Sequence, residues 1–175
     1  MNLDGYALPI KKLKGTEPVE SLDLSGKKLG VASAIVIASL ISVNGSLTSI
    51  NLSENNLTNY GRDMTGITEL AAALGVNGSL TSINLSGNNL TNFWSDMTGV
   101  TELAAALGVN GSLTALDLSY NKLKDEGIST VCEAIQSNKE TKLSSLNFGY
   151  NGIGPVGANA LAAMVAVTGS LTKIK

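Results

Sequence analysis

The sequence predicts an α/β solenoid, a stack of similar units that each contain a short strand, a turn and a helix. Three observations support this prediction. Five consecutive segments open on one pattern, as in LTSINLSENNL (residues 47–57) and LTSINLSGNNL (residues 80–90). Within the pattern apolar and polar residues alternate, which is typical of a half-buried strand. A segment with helical spacing of apolar residues follows, as in TELAAALGVNGS (residues 68–79).

The repeats divide the chain into a terminal segment and five full units. Residues 1–18 do not match the pattern, and we expect them to cap the first unit. The units span residues 19–46, 47–79, 80–112, 113–142 and 143–170, and residues 171–175 begin a sixth. Because a solenoid exposes apolar surface at its ends, the last strand with its two lysines is either a minimal cap or the start of a longer natural chain. The sequence favours the longer chain.

The repeated pattern resembles the leucine-rich repeat signature L-x-x-L-x-L-x-x-N-x-L, and the resemblance covers residues 19–175. Unit lengths near 28 residues resemble those of the ribonuclease-inhibitor-like subtype. The resemblance implies a right-handed solenoid, a horseshoe segment with parallel strands on the concave face and helices on the convex face. It also implies that a partner protein is bound on the concave face.

Stacking the units predicts columns of equivalent residues. Two columns of strand residues are expected to be buried: Ile50, Ile83, Leu116 and Leu146, and then Leu24, Leu52, Leu85, Leu118 and Phe148. An asparagine column at the turn is expected to satisfy backbone groups there: Asn55, Asn88, Asn121 and Asn151. Cys132 aligns with alanines and is predicted to be a core residue. Gly78 is available for a left-handed cap of its helix, and Gly66 is predicted to lie where helix and strand layers come close.

Composition and motifs argue against several classes of function. Histidine is absent and cysteine occurs once, so no His-based triad, His metal site or disulfide framework is available. There is no phosphate-binding loop and no basic stripe for nucleic acid. We therefore predict no catalysis, no cofactor, no small-molecule substrate, no nucleic-acid partner and no membrane association. An intracellular, cytoplasmic protein is expected, monomeric unless a partner buries its C-terminal end.

The first candidate site is a rim beyond the strand ends, where most aromatic residues fall. Units two and three are longer by an insertion and differ at five positions, four of them on this rim. The candidate protein-binding rim comprises Glu54, Tyr60, Arg62, Phe93, Trp94, Tyr120 and Tyr150. Three explanations remain open: binding by the rim, packing of Tyr60 and Phe93 beneath the insertion, and neutral drift. Trp94 is the best candidate for exposure because its counterpart is Gly61.

The second candidate site is the outward face of the strands. Its central column contains only carboxylate and amide side chains: Asp23, Asn51, Asn84, Asp117 and Asn147. These groups can hydrogen-bond a ligand, but the face has no Trp, Tyr or Arg, the residues that most often anchor interfaces. A plain solvated sheet surface is the alternative.

Three functional hypotheses follow from these features. The first is a non-enzymatic protein–protein interaction module that uses the rim and the adjacent concave surface. The second is a structural segment of a larger leucine-rich protein or assembly. The third, a regulator that resembles GTPase activators of this repeat type, rests on family analogy alone.

Overall fold

The computed structural model describes residues 2–91 and 96–175. An antiparallel hairpin of β1 (Asn2–Leu3) and β2 (Tyr6–Ala7) precedes the short helix α1 (Ile10–Lys14). Strands and helices then alternate: β3 (Ser21–Asp23), α2 (Val31–Ile41), β4 (Ser49–Asn51), α3 (Thr65–Val76), β5 (Ser82–Asn84), α4 (Thr98–Leu107), β6 (Ala115–Asp117), α5 (Lys124–Ser137), β7 (Ser145–Asn147), α6 (Pro155–Val167) and β8 (Lys173–Ile174).

Strands β3 to β8 form one parallel sheet in sequence order within the described residues. The register is that of equivalent positions, with Ile50 opposite Ile83 and Leu116 opposite Leu146. Neighbouring strands lie about 4.8 Å apart, whereas packed helices need about 8–10 Å between axes. A stack of strand–helix units must therefore curve, with the sheet on the inner side.

The predicted core columns are buried. Ile50, Ile83, Leu116 and Leu146 are at most 2% exposed, and Phe148 is fully buried. Cys132 lies in the core and is 1% exposed. Its burial, followed by the nearby Glu133 carboxylate, raises the pKa of its thiol to about 12, so the thiol stays protonated and unreactive at neutral pH.

The asparagine column satisfies the turns that follow the strands, as predicted. Asn55 donates through Nδ2 to the carbonyls of Leu24, Leu52 and Ser53, and its Oδ1 accepts from the N–H groups of Lys27 and Leu29. Equivalent bonds link Asn88, Asn121 and Asn151 to their neighbours. Each side chain therefore joins two successive units.

A second asparagine column, which the strand pattern does not include, lies at the ends of the helices. Asn77 donates to the carbonyls of Ile41 and Asn44, and its Oδ1 accepts from the N–H groups of Ser79 and Leu80. Asn44, Asn110 and Asn138 are buried at equivalent places. The prediction of a left-handed glycine cap at Gly78 is wrong, because Gly78 has no positive φ. The asparagine side chains of this column cap the helices instead.

Gly66 was expected to lie where helix and strand layers come close. Gly66 and its counterparts in later units, Gly99, Gly127 and Gly157, instead lie mainly against the preceding helix. A Cβ on Gly66 of α3 would lie 2.8 Å from Ala34 Cβ of α2 and 2.6 Å from the Leu57 carbonyl oxygen. On Gly99 of α4 it would meet the side chains of Met64 and Ile67 at 3.2–3.3 Å. Absence of a side chain at these positions sets how closely the helices pack.

The two ends of the stack differ. At the N-terminal end the Asp4 carboxylate of the hairpin accepts hydrogen bonds from Gly30 N and from the backbone and hydroxyl of Ser33, at the start of α2. At the other end α6 is largely uncovered, and Ala162 is exposed where its counterparts Ala38, Ala71 and Ala104 are buried. None of the described helices is long and apolar enough to span a bilayer.

Candidate functional site

One turn position in each unit, directly before the asparagine column, has a left-handed backbone. The residues at this position have φ between 54° and 65°: Gly26, Glu54, Gly87, Tyr120 and Tyr150. Glycine adopts this conformation freely, but an L-residue with a side chain is strained there by roughly 1–2 kcal/mol. Glu54, Tyr120 and Tyr150 are all exposed, so core packing does not explain their side chains. Strained exposed residues of this kind are associated with functional sites.

The two tyrosines of this position form an exposed stacked pair. Their ring centroids are 4.3 Å apart and the ring planes are inclined by 13°. Tyr120 is 56% exposed and Tyr150 78%. The stack follows from the parallel register of β6 and β7, which sets equivalent residues side by side. The pKa of Tyr120 is raised by desolvation and by its interaction with Tyr150, so the Tyr120 hydroxyl stays protonated at physiological pH.

The remaining rim residues lie toward the N-terminal units. Tyr60 is 62% exposed, so it does not fold beneath the insertion, and Arg62 is exposed beside it. Buried Thr58 anchors this loop by donating to the carbonyls of Asn88 and Asn89, each at 2.9 Å. Phe93 and Trp94 lie outside the described residues.

Each side chain of the concave column uses one of its two polar terminal atoms to hydrogen-bond its own turn. In every unit the Oδ1 atom accepts a hydrogen bond from the backbone N–H two residues later, in Asp23, Asn51, Asn84, Asp117 and Asn147. For Asp23 the bonds from Ser25 lower the pKa of the carboxyl group. Asn147 also donates to Asp117 Oδ2 at 2.8 Å. These groups are thus partly committed to holding the strand ends.

A shallow polar depression lies at the C-terminal end of the concave face. It has a volume of about 230 Å³ and is lined by Asn84, Asp117, Asn147, Lys173 and Lys175, among others. The lysines and Asp117 give it mixed charge. Such a surface suits hydrogen bonding to a polar segment of a partner.

The described residues do not form a cluster that could hold a metal ion. No cluster of three acidic or cysteine side chains is found among them, and the thiol of Cys132 is buried. The aligned turn sequences predict that Glu54, Tyr120 and Tyr150 lie on one rim and that Gly87 replaces the glutamate there, but they do not predict a gap at Gly87. The gap becomes visible only because Gly87 belongs to the left-handed column, and the sequence pattern does not predict that backbone conformation.

Comparisons with known proteins agree with this architecture. A family model described as leucine-rich repeat matches residues 109–132 and 139–162, and another matches residues 79–99. No curated protein sequence matches the chain significantly. Together with the parallel sheet, these matches confirm the predicted leucine-rich repeat fold class. The ribonuclease-inhibitor-like subtype stays a prediction.

Two solved structures have a similar fold. The first is a tropomodulin C-terminal domain from Caenorhabditis elegans, with a TM-score of 0.65 and 12% identity over 91% of this chain and 90% of that one. The second is described as leiomodin-1 actin-binding site 2, with a TM-score of 0.55 and 18% identity over 74% of this chain and 87% of that one. At such identities the likeness concerns the fold alone.

Proposed function

We propose that this protein is a non-enzymatic protein-binding module that uses the rim of Glu54, Tyr120 and Tyr150 with the adjacent concave face. The observation that carries the proposal is the tyrosine pair, two large aromatic side chains that are exposed and held on strained backbone. Aromatic residues are enriched at the centres of protein interfaces, because they bury much area while losing little side-chain freedom. Tyr60 and Arg62 extend this surface toward the second unit, and Phe93 and Trp94 remain sequence-based candidates for it.

The similar structures support a protein as the partner, and the cytoplasmic location stays a prediction. Leiomodin-1 is named for an actin-binding site within such a fold. Its low identity to this chain does not carry that partner over, so actin is one partner to test.

The test is affinity capture from a native extract with the Tyr120→Gly/Tyr150→Gly double variant beside the intact protein. Glycine suits the left-handed backbone, so the variant should fold, which circular dichroism checks. We expect at least one protein to be captured by the intact chain, to bind it again after purification, and to lose binding to the variant. The matched control, Ser49→Ala/Ser82→Ala on the concave strands, should lose less binding of that protein than the double variant does. Equal capture by the double variant would rule out the rim.

A second candidate function is a structural segment of a larger assembly, favoured by the uncovered face of α6 and β8. Val165 is 45% exposed and Ile174 38%, whereas the residues equivalent to Val165 in α3, α4 and α5 are at most 2% exposed. Sedimentation of the intact chain against a Val165→Glu variant tests this. Self-association that Val165→Glu abolishes would support the assembly, and a monomer at all concentrations would contradict self-assembly through this face.

A further inference from the structure

A gap one residue wide interrupts the left-handed column beside the tyrosine pair. Gly87 lies between Glu54 and Tyr120, and the three residues belong to successive units. With strands about 4.8 Å apart, the backbones at Glu54 and Tyr120 are about 10 Å apart. Tyr150 covers one face of the Tyr120 ring. The other face looks toward Gly87, which has no side chain to cover it.

Glu54 borders this gap on the opposite side. The three atoms nearest to the place where a Gly87 Cβ would lie all belong to Glu54, and its N, Cα and Cγ atoms are each 3.6 Å from that place. The Glu54 side chain therefore lies against Gly87, on the side away from Tyr120. The gap has an aromatic face on one side and a side chain that ends in a carboxylate on the other.

The charges around the gap favour a cation. In the described part of the chain the ion pair is between Lys12 and Glu17. The Glu54 carboxylate is therefore not ion-paired within that part of the chain. Asp117 adds a second negative charge on the concave side. One cation near the gap is Lys122, two residues after Tyr120, and its Nζ donates to Asn89 Oδ1 at 3.1 Å. Lys122 therefore flanks the gap.

We propose that this gap binds an arginine side chain of the partner protein, with the guanidinium stacked on Tyr120 and hydrogen-bonded to Glu54. The proposal rests on the proposed function and specifies the chemistry of the partner. A guanidinium is planar, as a gap beside a ring requires, and it stacks on aromatic faces while donating to carboxylates in a fork geometry. An ammonium lacks the plane, and an aromatic ring would bury the Glu54 carboxylate without a donor.

The test is a nuclear magnetic resonance titration of the full chain, labelled on its tyrosine rings, with three capped peptides. The peptides are acetyl-Gly-Gly-X-Gly-Gly-amide, with arginine, lysine or citrulline at X. Citrulline has nearly the shape of arginine without its charge. The chain has four tyrosines, so Tyr6 and Tyr60 report non-specific effects. We expect a saturable shift at Tyr120 with the arginine peptide, a smaller one with lysine and none with citrulline.

Two variants sharpen the test. Glu54→Gln keeps the shape of the side chain and should weaken arginine binding about threefold, as expected for an exposed ion pair. Lys122→Gln removes the competing charge and should strengthen binding by up to about twofold. Equal binding of citrulline, an unchanged affinity in Glu54→Gln, or no saturable shift at Tyr120 would each overturn the proposal. If the captured partner still requires the tyrosine pair in that case, the proposed function stands and only its arginine specificity fails.

Discussion

Two neighbouring columns of the turn differ in what determines their residues. The asparagine column, with Asn55 and Asn88 among its members, is buried and bonded to backbone of two units. The column one residue earlier is exposed and left-handed, and it contains Gly26, Glu54 and Tyr120. The fold requires an amide in the first column and would be best served by glycine in the second. Side chains retained in the second column are therefore candidates for function.

The largest expected effect comes from breaking the asparagine column. Asn55→Ala removes five side-chain hydrogen bonds and leaves backbone groups of Lys27 and Leu29 without their acceptor. Each unsatisfied buried group costs about 1–3 kcal/mol, so we expect the free energy of unfolding in urea to fall by about 3 kcal/mol or more. The control Asn159→Ala, at an exposed helical position in α6, should cause no loss. Equal stabilities of the two variants would contradict the assignment.

A weaker loss is expected at Asn88, and it sharpens the comparison within the column. Asn88 Oδ1 is buried without a hydrogen-bond partner in the described structure, whereas Asn55 Oδ1 accepts two N–H groups. Asn88 donates three bonds through Nδ2. Asn88→Ala should therefore cost about 1 kcal/mol less than Asn55→Ala, measured by the same urea titration. A larger loss at Asn88 would mean that the oxygen has a partner.

The insertion in units two and three accounts for this irregularity. Asn55 and Asn151 each accept two N–H groups from a preceding unit of 28 or 30 residues. Asn121 accepts one and Asn88 none from the 33-residue units. Among the described residues, the two longer units thus donate fewer N–H groups to the ladder than the shorter ones do.

The same distinction between required and unconstrained positions applies to glycines in the helices. Gly66→Ala would force its Cβ against backbone and Ala34, and overpacking of this kind costs about 1–3 kcal/mol. Gly75, in the same helix α3, has open space where a Cβ would lie, so Gly75→Ala should stabilise by about 0.5–1 kcal/mol. Thermal melting of both variants checks the opposite signs. A gain of stability for both would mean that the helices can move apart at no cost.

The sequence predicts the repeats, the buried columns and the asparagine ladder because each follows from a side chain that recurs at a fixed place. It predicts the rim only by position. The stacking of Tyr120 on Tyr150 and the gap at Gly87 depend on a backbone conformation that neither leucine spacing nor composition encodes. The helix caps made by Asn77 and Asp4 escaped prediction for another reason, because their partners lie in neighbouring units.

The smallest expected effect on stability is in the left-handed column, and it has the opposite sign to that in the asparagine column. Glu54→Gly relieves a strained backbone and loses no recorded ion pair, so we expect a gain of about 0.5–1 kcal/mol in unfolding free energy. Tyr120→Gly relieves similar strain but loses the ring stack, worth about 0.5–1.5 kcal/mol, and its net change should be close to zero. Urea titration measures both. A marked loss of unfolding free energy in Glu54→Gly would mean that this side chain stabilises the fold. A gain of unfolding free energy together with weaker partner binding would mean that Glu54 serves recognition at a cost in stability.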